Sequence, residues 1–233
     1  MINEYWQDRL QEAQNRITAK SAKQIEKQLI KYYKATAKEV MTEFEDTLAH
    51  LKNTIAKDKE PTPADLYKLQ KYWELQGQLK KHLQALGDKE IELLSKQFEA
   101  NFFEVYYSLD LGDNAAFNTL NTETVKQMVN QIWVADGKSW SARIWEDTNK
   151  LAATLNEELI YTVASGKTTG ELKHLLQDRF NVSYSRADSL VRTELAHIQT
   201  QAAQKRYVDA GITEVMVWAD KDERRCEVCG KLH

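Results

Sequence analysis

From about Asn3 to Ile55 the chain holds neither glycine nor proline, and Ile25, Leu29, Tyr32, Val40, Phe44, Leu51 and Ile55 recur at helical spacing. That pattern predicts one or two long helices with an apolar stripe. The segment from Lys57 to Pro63 breaks the pattern with two prolines. Thr62 can cap the next helix, Pro63 suits its first position, and Asp65 sits where an acid favours the helix dipole. The chain is expected to turn back there as a helical hairpin. The second arm runs to about Leu86, with an interruption expected at Gly87-Asp88, and Ile91, Leu94, Phe98, Phe102 and Tyr106 carry it on toward Leu109.

Residues Leu109 to Asn121 combine Gly112 with Asp and Asn side chains that favour turns over helix interiors. This places a helical stalk or bundle at 1–109, a linker at 110–121 and a second region at 122–233. In that second region, helices are expected at 122–135, 140–164, 169–179 and 184–210, separated by Asp136-Gly137, Ser165-Gly166 and Asn181 and stopped by Gly211. Ile212 to Trp218 is the one strand signal, with Val215 and Val217 alternating against Glu214 and Met216. The predicted fold class is mainly α: a long antiparallel helical hairpin or bundle, then a compact helical region with a short C-terminal β element.

Composition adds bounds. At 233 residues the chain can bury a real core, as one large domain or two small ones. Hydrophobic residues at 42%, charged residues at 29%, and only 8 Gly and 2 Pro fit long helices and argue against disorder. A formal charge of -3 does not mark the whole molecule as a nucleic-acid binder, so any basic surface must be local. No run approaches the roughly 20 apolar residues that cross a bilayer, and the start MINEYWQDRL is too polar for a secretory core. No membrane partner and a cytoplasmic site of synthesis are therefore expected.

One local basic surface is visible in the first helix. Arg16, Lys20, Lys23, Lys27, Lys31, Lys34 and Lys38 fall within an arc of about 80° at 100° per residue, opposite Ile25, Leu29, Thr36 and Val40. At 1.5 Å per residue this stripe is roughly 33 Å long, close to one turn of B-DNA. It could contact double-stranded DNA or another polyanion, or be a solvated helix face. Tyr32 and Tyr33 nearby read as packing residues.

The two cysteines, Cys226 and Cys229, have C-x-x-C spacing, which can supply two corners of a tetrahedral zinc site. Two ligands leave the site incomplete, with His233 a weak third candidate, and two reduced thiols are an equal alternative. A thioredoxin-like pair needs further elements after the motif. A zinc deaminase needs an H-x-E that none of the histidines supplies. Gly166-Lys167-Thr168 lacks the upstream glycine of a phosphate loop, with Tyr161 in its place, and reads as a helix end followed by a cap at Thr169.

The C-terminal pattern carries a resemblance. Arg192-Thr193-Glu194 on a helix, a turn at Gly211, a strand end at Trp218, then Asp222, Arg224, Cys226 and Cys229 with Arg225 between, resemble the bacteriophage head-morphogenesis family that includes the phage Mu F protein. GKSWSARI from Gly137 to Ile144 and the Ser-Gly-Lys-Thr-Thr-Gly-Glu-Leu segment also look like that family's middle region, so the resemblance covers about 122–233. It implies a minor head protein without catalytic activity, located in the virion and in the host cytoplasm during assembly. It also implies portal or major capsid partners, a part in head assembly or DNA delivery, and zinc ligands that follow His233. The alternative is a nucleic-acid-binding protein with a zinc module. An enzymatic toxin sharing this region finds no catalytic constellation in the sequence. Arg192 and Glu194 themselves read as anchors pairing with neighbouring helices.

Overall fold

A computed structural model of the chain describes residues 4–55, 59–111 and 119–214. The protein is mainly α-helical, as the periodicity predicts. Its described helices are α1 (Glu4–Thr54), α2 (Pro63–Lys68), α3 (Gln70–Ser108), α4 (Thr122–Val129), α5 (Trp140–Ala164) and α6 (Thr169–Asp209).

Along α1 the buried positions Gln14, Ile17, Ser21, Ile25, Leu29, Tyr33, Thr36, Val40, Phe44 and Leu48 advance in steps of three and four, so one stripe faces inward along most of the helix. α3 does the same from Tyr72 through Leu75, Leu79, Leu83 and Leu86 to Phe102 and Tyr106. These two long helices pack on each other, and α6 lies against both. α5 fills the remaining side by packing on α3 and α6. The result is one continuous core that draws on all six helices. Thr18 of α1 donates to Gln199 of α6 at 2.6 Å, which brings the first helix onto the last.

The helix ends follow the expected chemistry with small shifts. Thr62 and Asp65 form a reciprocal capping box, and Pro63 opens α2. The second arm breaks at Leu69, whose backbone is extended, and runs unbroken through Gly87 and Asp88, where an interruption was expected. Gly87 is buried there because the indole of Trp145 in α5 lies against it. α4 ends at Val129, short of the expected 135. Beyond Gly166, which adopts a left-handed φ of 64°, the cap of α6 is Thr168 with Glu171, one residue before the expected Thr169. The two helices expected at 169–179 and 184–210 are a single helix, because Phe180, Ser183 and Ala187 continue one buried face across Asn181. Ile212 to Glu214 carry no strand, and the rest of the expected strand, Val215 to Trp218, lies outside the described residues.

Candidate functional site

Four helices converge on a polar joint in the middle of this core. Glu90 occupies a core position of α3, one turn from Leu86 and Leu94, and is 2% exposed. Tyr33 reaches toward it from α1, and the two groups are coupled electrostatically. The Tyr33 hydroxyl also stands 3.4 Å from Ser183 Oγ of α6. Ser183 in turn donates to Asp147 Oδ2 of α5. Asp147 Oδ1 accepts from Arg186 Nη1 at 2.8 Å. A hydrogen-bonded chain thus runs from the buried Tyr33 hydroxyl to a half-exposed guanidinium, and the neighbouring Glu90 Oε1 is without a partner among the described residues.

Burial in an apolar surround disfavours charge on Glu90, and the Asp147 carboxylate adds to that, so its pKa is pushed up to about 8. Tyr33 is held far above the usual phenol range, first by burial and then by the Glu90 charge. At neutral pH Glu90 is therefore mostly protonated. It can donate a hydrogen bond.

The joint floors a groove between α5 and α6 of about 1060 Å³, lined also by Asp136, Arg143, Glu146 and Glu194. Its rim is laced with ion pairs: Arg143 to Asp136 at 2.6 Å, Arg186 to Asp147, and Lys138 to Glu146. At one end Trp133 is stacked on His197, with ring centroids 4.1 Å apart, and its Nε1 donates to Glu194 Oε2 at 3.0 Å. Burial raises the pKa of Glu194 and lowers that of His197. The groove thus offers guanidinium donors and carboxylate acceptors within one space, and the Trp133–His197 stack adjoins it through the bond to Glu194.

The residues singled out in the sequence are placed as follows. Glu194 joins the groove through Trp133, whereas Arg192 points outward and pairs with Asp188 one turn back on its own helix, at 2.8 Å. Thr193 returns its hydroxyl to the Ser189 carbonyl. Gly211 turns the chain after α6 with φ 74°. Arg16, Lys20, Lys23, Lys27, Lys31, Lys34 and Lys38 are all exposed on α1, away from the groove. Trp218, Asp222, Arg224, Cys226, Cys229 and His233 lie outside the described residues. Among the described residues, no cluster of three or more His, Cys, Asp or Glu side chains could hold a metal ion. No described helix is long and apolar enough to cross a membrane.

Sequence reasoning missed Glu90, Tyr33 and Asp147. The signal was present: an acid on the apolar stripe between Leu86 and Leu94, where a leucine would be expected.

No family model matches the sequence, and no solved structure matches it. A search of curated proteins finds a protein named NAD(+)--arginine ADP-ribosyltransferase EFV, from Enterococcus faecalis (strain ATCC 700802 / V583), at 27% identity over 139 residues. The chain is similar to a transferase. The match takes in 56% of this chain and 28% of that protein, so the chain spans well under a third of its relative.

This finding corrects the expectation of a non-enzymatic minor head protein of the phage virion, with its capsid and portal associations. The relative's name is that of an enzyme, which fits the zinc-module alternative no better, and no phage head-morphogenesis family is found. The physical reason lies in the motif. Its pieces are a few residues each, and Arg192, Thr193 and Glu194 make local bonds that a helical bundle of any function can require.

Proposed function

We propose that this chain is a helical module of an enzyme that transfers ADP-ribose from NAD+, and that the α5–α6 groove engages a ligand of that reaction. The similarity to the Enterococcus transferase carries this reading. Such transfer breaks the bond between nicotinamide and the ribose carbon and joins that carbon to a nitrogen of the acceptor, with nicotinamide leaving and the acceptor proton passing to a base. The reaction calls for donors to hold a pyrophosphate, a carboxylate beside the reacting centre and a flat surface for a ring.

The groove supplies the donors and carboxylates in a space suited to a large ligand, and Trp133 stands beside it, bonded to the lining residue Glu194. Arg143 and Arg186 can exchange their carboxylate partners for phosphate oxygens. Trp133 is 41% exposed and offers a ring face, and Glu194 and Asp147 are the carboxylates at hand.

The test is direct. The protein is incubated with NAD+ labelled in its adenylate part and with a free guanidino compound as acceptor. Label on the acceptor, weakened by Arg186→Ala, is the expected result. A protein that neither binds NAD+ nor moves label to any acceptor, including itself, overturns the reading.

A further inference from the structure

α1 carries a surface that the groove does not use. Arg16, Lys20, Lys23, Lys27, Lys31, Lys34 and Lys38 are all exposed. Lys20 is bound to Glu104 of α3 at 3.0 Å, and the other six make no ion pair among the described residues. Between Arg16 and Lys38 the sequence contains one acid, Glu26, and its charge bears on Arg192 and Tyr184 of α6, to the side of the stripe. Just beyond, Glu39 is engaged by His82 of α3 at 3.1 Å. The acids of this helix segment thus serve its neighbours, while its cations are left to solvent. In a protein of net charge -3, a helix face of seven cations with one acid in the same stretch is a local reversal of sign.

The shape narrows the partner. An unbroken helix of 51 residues holds the six free cations in a narrow row, roughly 33 Å from first to last at 1.5 Å per residue. That row is extended along one helix, so it matches an extended polyanion better than a point anion. A lipid surface would call for large apolar side chains beside the cations to enter the bilayer. The exposed large hydrophobic residues, Trp73, Trp133, Tyr161 and Val208 among them, all lie on other elements, and none is on the described part of α1.

We infer that the exposed face of α1 is a contact surface for duplex nucleic acid, tracked through its phosphates without base readout. Double-stranded DNA presents a charge about every 1.7 Å of axis, so 33 Å of duplex offers more phosphates than the stripe has cations. The inference is independent of the transferase reading, because it uses neither the groove nor NAD+.

The experiment measures binding of the intact protein to a blunt duplex of mixed sequence by fluorescence anisotropy across a salt series. The wild type is compared with Lys23→Gln, Lys27→Gln, Lys31→Gln, Lys34→Gln combined. Glutamine keeps the helix propensity, and circular dichroism and thermal midpoint check that the fold is intact. A second variant, Lys80→Gln, Lys81→Gln, Lys89→Gln on α3, removes exposed charge elsewhere. The stripe variant should lose roughly tenfold or more in affinity, and its slope of log K against log salt should flatten by about three to four units. The α3 variant should change little, and sequence-scrambled duplexes should bind alike. No duplex binding by the wild type, equal losses in both variants, or tighter binding to vesicles of anionic phospholipid than to duplex would each overturn the assignment.

Discussion

The indole of Trp145 in α5 lies so close to Gly87 of α3 that a Cβ on Gly87 would stand 2.7 Å from its Cζ3 atom. The glycine is there to let two helices approach, not to bend one. Gly87→Ala gains about 1 kcal/mol of helix propensity but forces a large ring to move, at a typical cost of 1–3 kcal/mol. The expected outcome in urea denaturation is a net loss. Gly77, in the same helix, has nothing within 4 Å of such a Cβ, so Gly77→Ala should stabilise by up to about 1 kcal/mol. Equal gains from both substitutions would contradict the close packing.

Glu90 gives the protein a pH signature. Its pKa is about 8 when folded, against about 4.5 for an ordinary glutamate, so the folded chain holds one more proton between those values. Its contribution to stability is full below about pH 4.5 and is lost as the pH rises toward 8, at up to roughly 1.4 kcal/mol per pH unit. The groups facing it are Tyr33 from α1, Asp147 from α5 and, one link further, Ser183 and Arg186 from α6. Glu90→Gln should flatten the fall across that window and leave the variant the more stable protein near pH 8. Parallel stability profiles for the two proteins would sink this account.

Trp133 holds Glu194 in place from outside the helices. Trp133→Phe keeps an aromatic ring over His197 but removes the Nε1 donor, leaving a carboxyl that is 3% exposed without that bond. A loss of about 1–3 kcal/mol is expected. The pairing Trp133→Phe with Glu194→Leu should recover part of it. Thermal melts of the single and double variants measure the coupling, and strictly additive losses would show that the bond contributes nothing.

The start of α6 depends on a reciprocal cap. Thr168 Oγ1 accepts from the Glu171 amide at 3.2 Å, and Glu171 Oε2 accepts from the Thr168 amide at 2.8 Å. Thr168→Ala should cost about 1 kcal/mol, and Thr168→Ser much less. Hydrogen exchange should show the loss concentrated in the first turn of α6, while a uniform change along the helix would argue against a capping role.

Much of this architecture could be read from residue spacing. Leu29 and Val40 on α1, or Phe98 and Phe102 on α3, are buried where their period put them, and Thr62-Pro63-Asp65 announced a helix start that forms as written. Breaks were harder. Gly87 and Asn181 are residues that end helices when nothing else intervenes, but packing against Trp145 and the continuous face through Phe180 and Ser183 override that local preference. The candidate site was the least legible part. Glu90, Tyr33, Asp147 and Ser183 lie on four helices and are separated by up to 150 positions in the case of Tyr33 and Ser183. Only tertiary packing joins them. A lone acid in an apolar stripe marks such a place without telling what it will meet.

The bond between Thr18 and Gln199 spans 181 positions, and Gln199 Nε2 also donates to Gln14 at 3.2 Å. A ribosome adding about 5–20 residues per second would take roughly 10–40 s to travel from one end of that contact to the other. Through that interval α1 can pair with α3, but the flank destined for α6 has nothing to lie against. The nascent chain therefore carries an uncovered seam along α1 until the last described helix emerges. Such a seam invites chaperone holding during synthesis, and it makes the arrival of α6 the event that commits the chain to its final form.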